Sequence, residues 1–87
     1  MEVIVTPQAK KLIKRLPKIT QIAVVQKLNK LEADMTGGVI KLAGYKDAFR
    51  MRVGAYRIVY RILNKKIYIV LVGHRKEIYK ILDRLLK

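Results

Sequence analysis

Between Phe49 and Tyr60 the chain reads Phe-Arg-Met-Arg-Val-Gly-Ala-Tyr-Arg-Ile-Val-Tyr, two alternating runs on either side of Gly54-Ala55. Alternation of this kind is a strand signal, and a two-residue break with Gly in its first central position is a hairpin turn. The register follows: Val53 pairs with Tyr56, and Arg52 lies opposite Arg57. One face then carries Phe49, Met51, Val53, Tyr56, Ile58 and Tyr60. The other carries Arg50, Arg52, Arg57, Val59 and Arg61. Like charges facing each other across strands are destabilising. The cluster therefore reads two ways, as a surface that an anion neutralises or as a solvated sheet face.

The rest of the composition bears on that choice. Twenty Lys and Arg stand against six Asp and Glu, a net charge of +14 spread through folded-looking sequence rather than gathered in a tail. Such an excess implies a polyanionic partner, and nucleic acid, an anionic membrane surface or an acidic protein would each fit. Self-repulsion on this scale predicts a chain that is easily destabilised alone or held by a partner. With 87 residues, 52% of them apolar, one domain spanning residues 1–87 with a modest core is expected. No apolar run reaches the roughly 18 residues of a membrane span. Strand-like Glu2-Val3-Ile4-Val5 stands where a signal peptide would, and the lack of cysteine removes disulfides and thiolate metal sites. The expected compartment is the cytoplasm.

In chain order, residues 2–6 form a short strand. Thr6-Pro7 starts a helix, with Thr6 as N-cap and Pro7 in the first turn. Ala9, Leu12, Ile13 and Leu16 make its apolar stripe, and lysines and Arg15 take its other face. After Pro17 a second helix runs from about Lys18 to Met35, with a stripe of Ile22, Val25, Leu28, Leu31 and Met35, and Gly37-Gly38 stops it. Residues 39–46, including Lys41, Gly44, Tyr45 and Lys46, connect to the hairpin. Asn64-Lys65 is a second short turn. Pairing Leu63 with Lys66 across it sets Arg57 opposite Val72 and Val59 opposite Val70. Residues 76–86 form a last helix, striped by Ile78, Ile81, Leu82 and Leu85. The fold class is α+β: an N-terminal strand and a helical hairpin packed on a small antiparallel sheet, with a short C-terminal helix.

The residue inventory limits the chemistry. Two-metal hydrolysis needs clustered carboxylates, and the chain has only Glu2, Glu32, Asp34, Asp47, Glu77 and Asp83. His74 is the sole histidine and there is no serine, so no metal site, no cofactor site and no Ser nucleophile is expected. What remains is arginine, lysine, tyrosine and His74. These groups bind phosphates and stabilise developing charge, but most are poor bases. RNA carries its own nucleophile, the 2′-hydroxyl beside the scissile phosphate. A basic site can therefore cleave RNA without metal, leaving a 2′,3′-cyclic phosphate, whereas DNA lacks that hydroxyl.

At Tyr56-Arg57-Ile58-Val59-Tyr60 and Val72-Gly73-His74-Arg75-Lys76-Glu77-Ile78-Tyr79 the sequence resembles the RelE branch of the RelE/ParE toxin superfamily. The resemblance extends through the initial strand, the helical hairpin and Lys41-Leu42-Ala43-Gly44. It implies an mRNA endoribonuclease that acts in the ribosomal A site and is neutralised by an acidic, RelB-like antitoxin. By position, Arg57 matches the arginine that contacts the reacting phosphate. Arg75 matches the one that protonates or stabilises the leaving 5′ oxygen, and Tyr79 matches the tyrosine on which a base stacks. Arg50 and Arg52 stand where the best-studied members have lysines, one of them a proposed general base. An arginine, with a pKa above about 12, is almost never neutral. Arg52 is thus read as an electrostatic stabiliser and His74 as a candidate base, against its bland reading as a solvated strand-end residue. Arg50, Lys41, Lys46 and Arg61 are the expected RNA contacts.

Two other functions fit parts of the sequence. One is a ParE-like toxin that blocks DNA gyrase without cleaving anything. The other is a plain nucleic-acid-binding domain whose arginine face is only an electrostatic footprint. Arg75 and Tyr79 following the last strand favour the ribonuclease over the ParE-like reading.

Overall fold

The computed structural model describes residues 1–34 and 38–86, apart from the side chains of Leu85 and Leu86. The expectations placed on Met35, Gly37 and the Leu85 side chain lie outside the described residues. Along the chain run β1 (Glu2–Val5), α1 (Pro7–Lys14), α2 (Lys18–Glu32), β2 (Ile40–Lys41), β3 (Ala48–Val53), β4 (Tyr56–Leu63), β5 (Lys66–His74) and α3 (Ile78–Leu86). The strands form one sheet in the order β1-β5-β4-β3-β2. It is antiparallel from β2 to β5, and β1 joins β5 in parallel.

Local chemistry sets the elements. The Thr6 hydroxyl accepts from the Ala9 N–H at 3.3 Å and donates to the Ile69 carbonyl at 2.8 Å, so one side chain caps α1 and pins it to β5. Gln21 Nε2 donates to the Leu16 carbonyl at 2.9 Å, satisfying an acceptor at the break between α1 and α2. Gly54 has φ +58°, which suits a turn needing positive φ at its first central residue. Asn64 and Lys65 have φ +52° and +62°, so the second hairpin turn needs positive φ at both central residues.

Two apolar clusters flank the sheet. On one side Ala9, Val24, Leu28 and Leu31 from the helices pack against Met51, Val53, Ile58, Tyr60, Ile67, Ile69 and Val72. Phe49 and Tyr60 stack there, with ring centroids 5.4 Å apart. On the other side Ile78 and Leu82 of α3 pack against Leu42, Ala48, Val59 and Leu71. The hairpin register is as expected, with Val53 opposite Tyr56 and Arg52 opposite Arg57.

Three expectations need correction. The pairing of β4 with β5 begins at Leu63 and Lys66 but shifts by one between Val59 and Tyr60. Arg57 therefore faces Gly73, not Val72, and Val59 faces Leu71, not Val70. The extra residue makes a bulge that turns Val70 and Leu71 toward α3. Second, Ile22 and Val25 do not form the inner stripe of α2: they are 54% and 50% exposed, and Val24 is buried in their place. Leu28 lies four residues after Val24 and three after Val25, so helical spacing alone admits either face. Third, residues 39–46 are more than a connection. Ile40 pairs with Arg50 and Lys41 with Phe49, adding an edge strand.

Candidate functional site

The recess at the turn end of the second sheet face holds about 310 Å³ and is lined by Gly38, Ile40, Arg50, Arg52 and Arg57. Each side chain is there for a backbone reason. Arg50 and Arg52 alternate with buried Met51 and Val53 on β3, and Arg57 alternates with Ile58 on β4. Ile40, paired with Arg50, closes the side from β2. Toward the far end of this face Val59 and Leu71 lie under α3, so the face is divided between an open basic half and a covered apolar half.

Arg57 is the most constrained of the group, with only 8% of its surface exposed. Its Nη1 donates to the Gly54 carbonyl at 3.0 Å and to the Tyr56 carbonyl at 2.9 Å. Both bonds use one nitrogen of the guanidinium fork, which fixes the group's orientation. Burial pushes its pKa below the ordinary arginine value. The charges of Arg52, Arg50 and Arg75 push the same way, and Tyr79 opposes them. An anion entering the recess would relieve this repulsion.

The end of β5 supplies the remaining groups. The Arg75 N–H donates to the Ala55 carbonyl at 2.8 Å, tying the strand end to the hairpin turn and leaving the side chain exposed. The His74 ring meets Tyr56 edge-on at 5.6 Å, and its Nδ1 accepts the Lys76 N–H at 3.2 Å. With Nδ1 accepting, a neutral ring carries its proton on Nε2 and presents a donor rather than a base. Tyr79, in the first turn of α3, is 41% exposed, and its hydroxyl takes a hydrogen bond from Arg50 Nη1. The Arg50 guanidinium carbon lies 5.9 Å from its ring centroid. A second tie, from the Tyr45 hydroxyl to Asp83 Oδ1, holds the same helix to the loop before β3.

The structure thus brings together Arg50, Arg52 and Arg57, with Arg75 and Tyr79 at the rim. It does not bring in His74, the expected candidate base, which pairs with Tyr56 and meets its ring on the sheet face opposite the arginines. It does not bring in Arg61, which is four residues along β4, roughly 13 Å away at strand rise. Arg61 makes a long 3.4 Å contact with the Lys46 carbonyl, and its buried Nε has no partner among the described residues. Lys46 is exposed at that distant end, and Lys41 pairs with Phe49, on the opposite side of the sheet from the arginines. Gly38 and Ile40 were not foreseen as lining residues. The signal available was the short β-branched run Val39-Ile40 after the glycines. Among the described residues, no three His, Asp or Glu side chains gather as a metal site would need.

The fold and this recess define a small basic α+β protein with preorganised guanidinium groups at a hairpin end, suited to a phosphate-bearing ligand. Residues 3–79 match the family model described as ParE toxin of type II toxin-antitoxin system, parDE, and the chain belongs to that family, within the RelE/ParE superfamily. Its structure is similar to a chain of the RelB-RelE antitoxin-toxin complex from Methanococcus jannaschii, with TM-score 0.78 and 23% identity over 90% of this chain and 96% of that one. It is similar to a chain of the archaeal RelE-RelB complex from Pyrococcus horikoshii, with TM-score 0.73 and 29% identity over 85% and 93%. The isolated E. coli RelE toxin matches with TM-score 0.69 and 24% identity over 98% of both chains. No curated protein matches in sequence.

Proposed function

We propose that this chain is a RelE-type toxin that acts in the cytoplasm, cleaving mRNA in the ribosomal A site without metal and held inactive by an acidic antitoxin. The observation that carries the reading is the convergence of Arg50, Arg52 and Arg57 on one recess, with Tyr79 and Arg75 at its rim. The relatives seen as RelB-RelE antitoxin-toxin complexes support the antitoxin partner.

In this reading Arg57, fixed by its two carbonyl bonds, holds a nonbridging oxygen of the scissile phosphate. Arg50 and Arg52 balance the charge that grows on the phosphorane. The 2′-oxygen forms its bond to phosphorus as the bond to the 5′-oxygen breaks. The 2′-hydroxyl proton passes to solvent, and the leaving oxygen, its charge stabilised by the Arg75 guanidinium, takes up a proton either from solvent or from Arg75, which solvent then reprotonates. The products are a 2′,3′-cyclic phosphate and a 5′-hydroxyl. A base stacks on Tyr79 once the ring leaves Arg50. With His74 on the opposite sheet face and its Nδ1 taken by the Lys76 N–H, the site is weak in proton transfer and depends on orientation. In-line alignment is worth roughly 7–11 kcal/mol in ideal intramolecular cases. A ribosome holding the message supplies that alignment, and free RNA seldom does.

The test is cleavage on programmed ribosomes, with a metal-chelated arm in which the ribosomes stay intact. Arg57→Ala and Arg75→Ala should each lower the rate about 100- to 1,000-fold, the usual loss for one preorganised donor. The fragments should carry cyclic phosphate ends, and a single 2′-deoxy nucleotide at the cut site should abolish cleavage. Undiminished cutting of the deoxy message refutes the mechanism. The description of the matched family favours a second reading, a ParE-like block of DNA gyrase. Gyrase inhibition that survives Arg57→Ala, with messages left intact, would decide for it.

A further inference from the structure

The arginine recess has one apolar wall. Among the described residues that line it, Ile40 carries the only apolar side chain beside Arg50, Arg52 and Arg57, and it is 50% exposed. Isolated exposed apolar residues are common on protein surfaces and mean little by themselves. This one is placed by the sheet. β2 is the last strand in the order β1-β5-β4-β3-β2, and Ile40 is the Cα partner of Arg50, so both side chains stand on the recess face. The Arg50 guanidinium reaches toward α3, where its Nη1 bonds the Tyr79 hydroxyl, and Ile40 is left half uncovered. Gly38 borders the same side with φ +73°, and a Cβ there would meet nothing within 4 Å, so the recess opens beside Ile40. Tyr79 stands across from it. It follows Ile78, which packs over Gly73 at the end of β5. The order across the recess is therefore Ile40 on β2, Arg50 and Arg52 on β3, Arg57 on β4, and Tyr79 on α3, which rises from the β5 side. At ordinary strand spacing β2 lies roughly 10 Å from β4. An aliphatic wall and an aromatic wall thus flank a floor of guanidinium groups.

We propose that Ile40 is a substrate-contact residue, packing on the face of the base at one side of the scissile phosphate while Tyr79 stacks on the base at the other side. The proposal rests on the ribonuclease function proposed above and deepens it. Chemistry divides the substrate among the parts of the recess. The phosphate goes to the guanidinium groups. The ribose is polar, so the flat face of a base is the apolar surface that RNA can offer an aliphatic side chain. Arg50 stands between the two walls, and with the phosphate bound over the arginines one base lies to each side. Two bases held apart cannot stack on each other. Their separation frees the backbone between them to bring the 2′-oxygen, phosphorus and 5′-oxygen toward a line. Ile40 therefore acts on the reacting geometry more than on affinity, most of which the ribosome supplies. Every base has such a face, so the contact leaves codon choice to other groups.

The experiment uses intact programmed ribosomes and the full chain. Ile40→Ser should lower kcat about tenfold while KM changes less than about threefold, and Ile40→Phe should restore most of the rate, because a ring also covers the face of a base. Position 40 is half exposed on an edge strand, so both variants should keep the fold, which thermal unfolding checks. A second measurement reads base placement directly. Messages carry 2-aminopurine at one or the other nucleotide flanking the cut, with a 2′-O-methyl group at the cut to block cleavage. This base brightens when it leaves its stacked neighbours and stays quenched against an aromatic ring. Wild-type toxin should brighten it at one flanking position only. Ile40→Ser should abolish that brightening and leave the other position unchanged, and Tyr79→Ala should alter only the other position. Ile40→Ser that matches wild type in kcat or in fluorescence overturns the proposal. So does a change at the same nucleotide in both variants, which would mean one base held between the two walls. Wild-type toxin that leaves every message intact removes the ribonuclease reading and this contact with it, whereas wild-type cleavage with an indifferent Ile40 removes the contact alone.

Discussion

Arg52 and Arg57 face each other across the hairpin, and the charge of Arg52 is the largest Coulombic contribution lowering the Arg57 pKa. Replacing Arg52 with Gln should therefore make the protein more stable and less active. Directly opposed side chains have Cβ atoms about 4.5–5.5 Å apart, and a charged pair there is worth roughly 0.2–1 kcal/mol. Arg52 is exposed, so solvent screens the repulsion and a value near 0.5 kcal/mol is the reasonable expectation. The Nη1 bonds of Arg57 go to Gly54 and Tyr56 and do not involve Arg52, so the substitution removes repulsion without breaking a bond already made. For a domain of this size 0.5 kcal/mol corresponds to a Tm rise of about 2–4 °C. Thermal unfolding by circular dichroism would read it, with Lys30→Gln as a control for lowering net charge elsewhere. The gain over that control should fade in 1 M salt, where the screening length is about 3 Å. A gain no larger than the control's at low salt, or one that persists in 1 M salt, refutes the idea that opposed arginines store repulsion at the recess. Under the proposed ribonuclease mechanism, cleavage on ribosomes should fall in the same variant, because the lost charge is one that would balance the phosphorane.

Two further outcomes are expected. Lys65 sits at φ +62°, a conformation that costs an L residue roughly 1–2 kcal/mol, so Lys65→Gly should stabilise the fold by about 0.5–1 kcal/mol after glycine's greater unfolded freedom is counted, and chemical denaturation showing no gain would contradict the turn geometry. Tyr45 should titrate above the ordinary 10.0, chiefly through its hydrogen bond to Asp83; a raised pKa favours the neutral phenol in the fold, so its contribution is present below about pH 10 and lost as pH rises through the raised value. Absorbance titration should show this late phenol disappear in Tyr45→Phe and move back toward the ordinary value in Asp83→Asn, and an unchanged curve in Asp83→Asn would refute it.

The parts of the fold legible in the sequence are those whose side-chain pattern carries a phase. The β3–β4 hairpin alternates arginine with apolar residues, so its register and the grouping of Arg50, Arg52 and Arg57 could be read directly. Thr6-Pro7 marks a helix start by chemistry that few other dipeptides offer. The pattern fails where both faces are apolar. Ile67 to Val72 is apolar or aromatic at every position, so nothing in it distinguishes one register from its neighbour. The same holds for α2, where apolar residues on two faces hid which face was inside. Arg61 was grouped with the other arginines by alternation, which assigns a face but says nothing about distance along the strand. The ties from Tyr79 to Arg50 and from Tyr45 to Asp83 join residues 29 and 38 positions apart, beyond any local signal.

The bulge in β5 connects these observations. Without it Val72 would stand beside Arg57 on the recess face and Leu71 would turn toward the helical hairpin. With it Val72 packs into the first cluster, Leu71 packs under α3, and Gly73 takes the place opposite Arg57. A Cβ on Gly73 would meet Ile78 Cδ1 at 3.1 Å, tighter than ordinary contact, so a valine at this point would contend with the buried first residue of α3. The glycine lets α3 begin against the strand end, and that brings Tyr79 to the hydroxyl contact with Arg50. One inserted residue thus serves both cores and sets the tyrosine beside the arginines, which is why a run that looks like plain core sequence bears on the chemistry of the site.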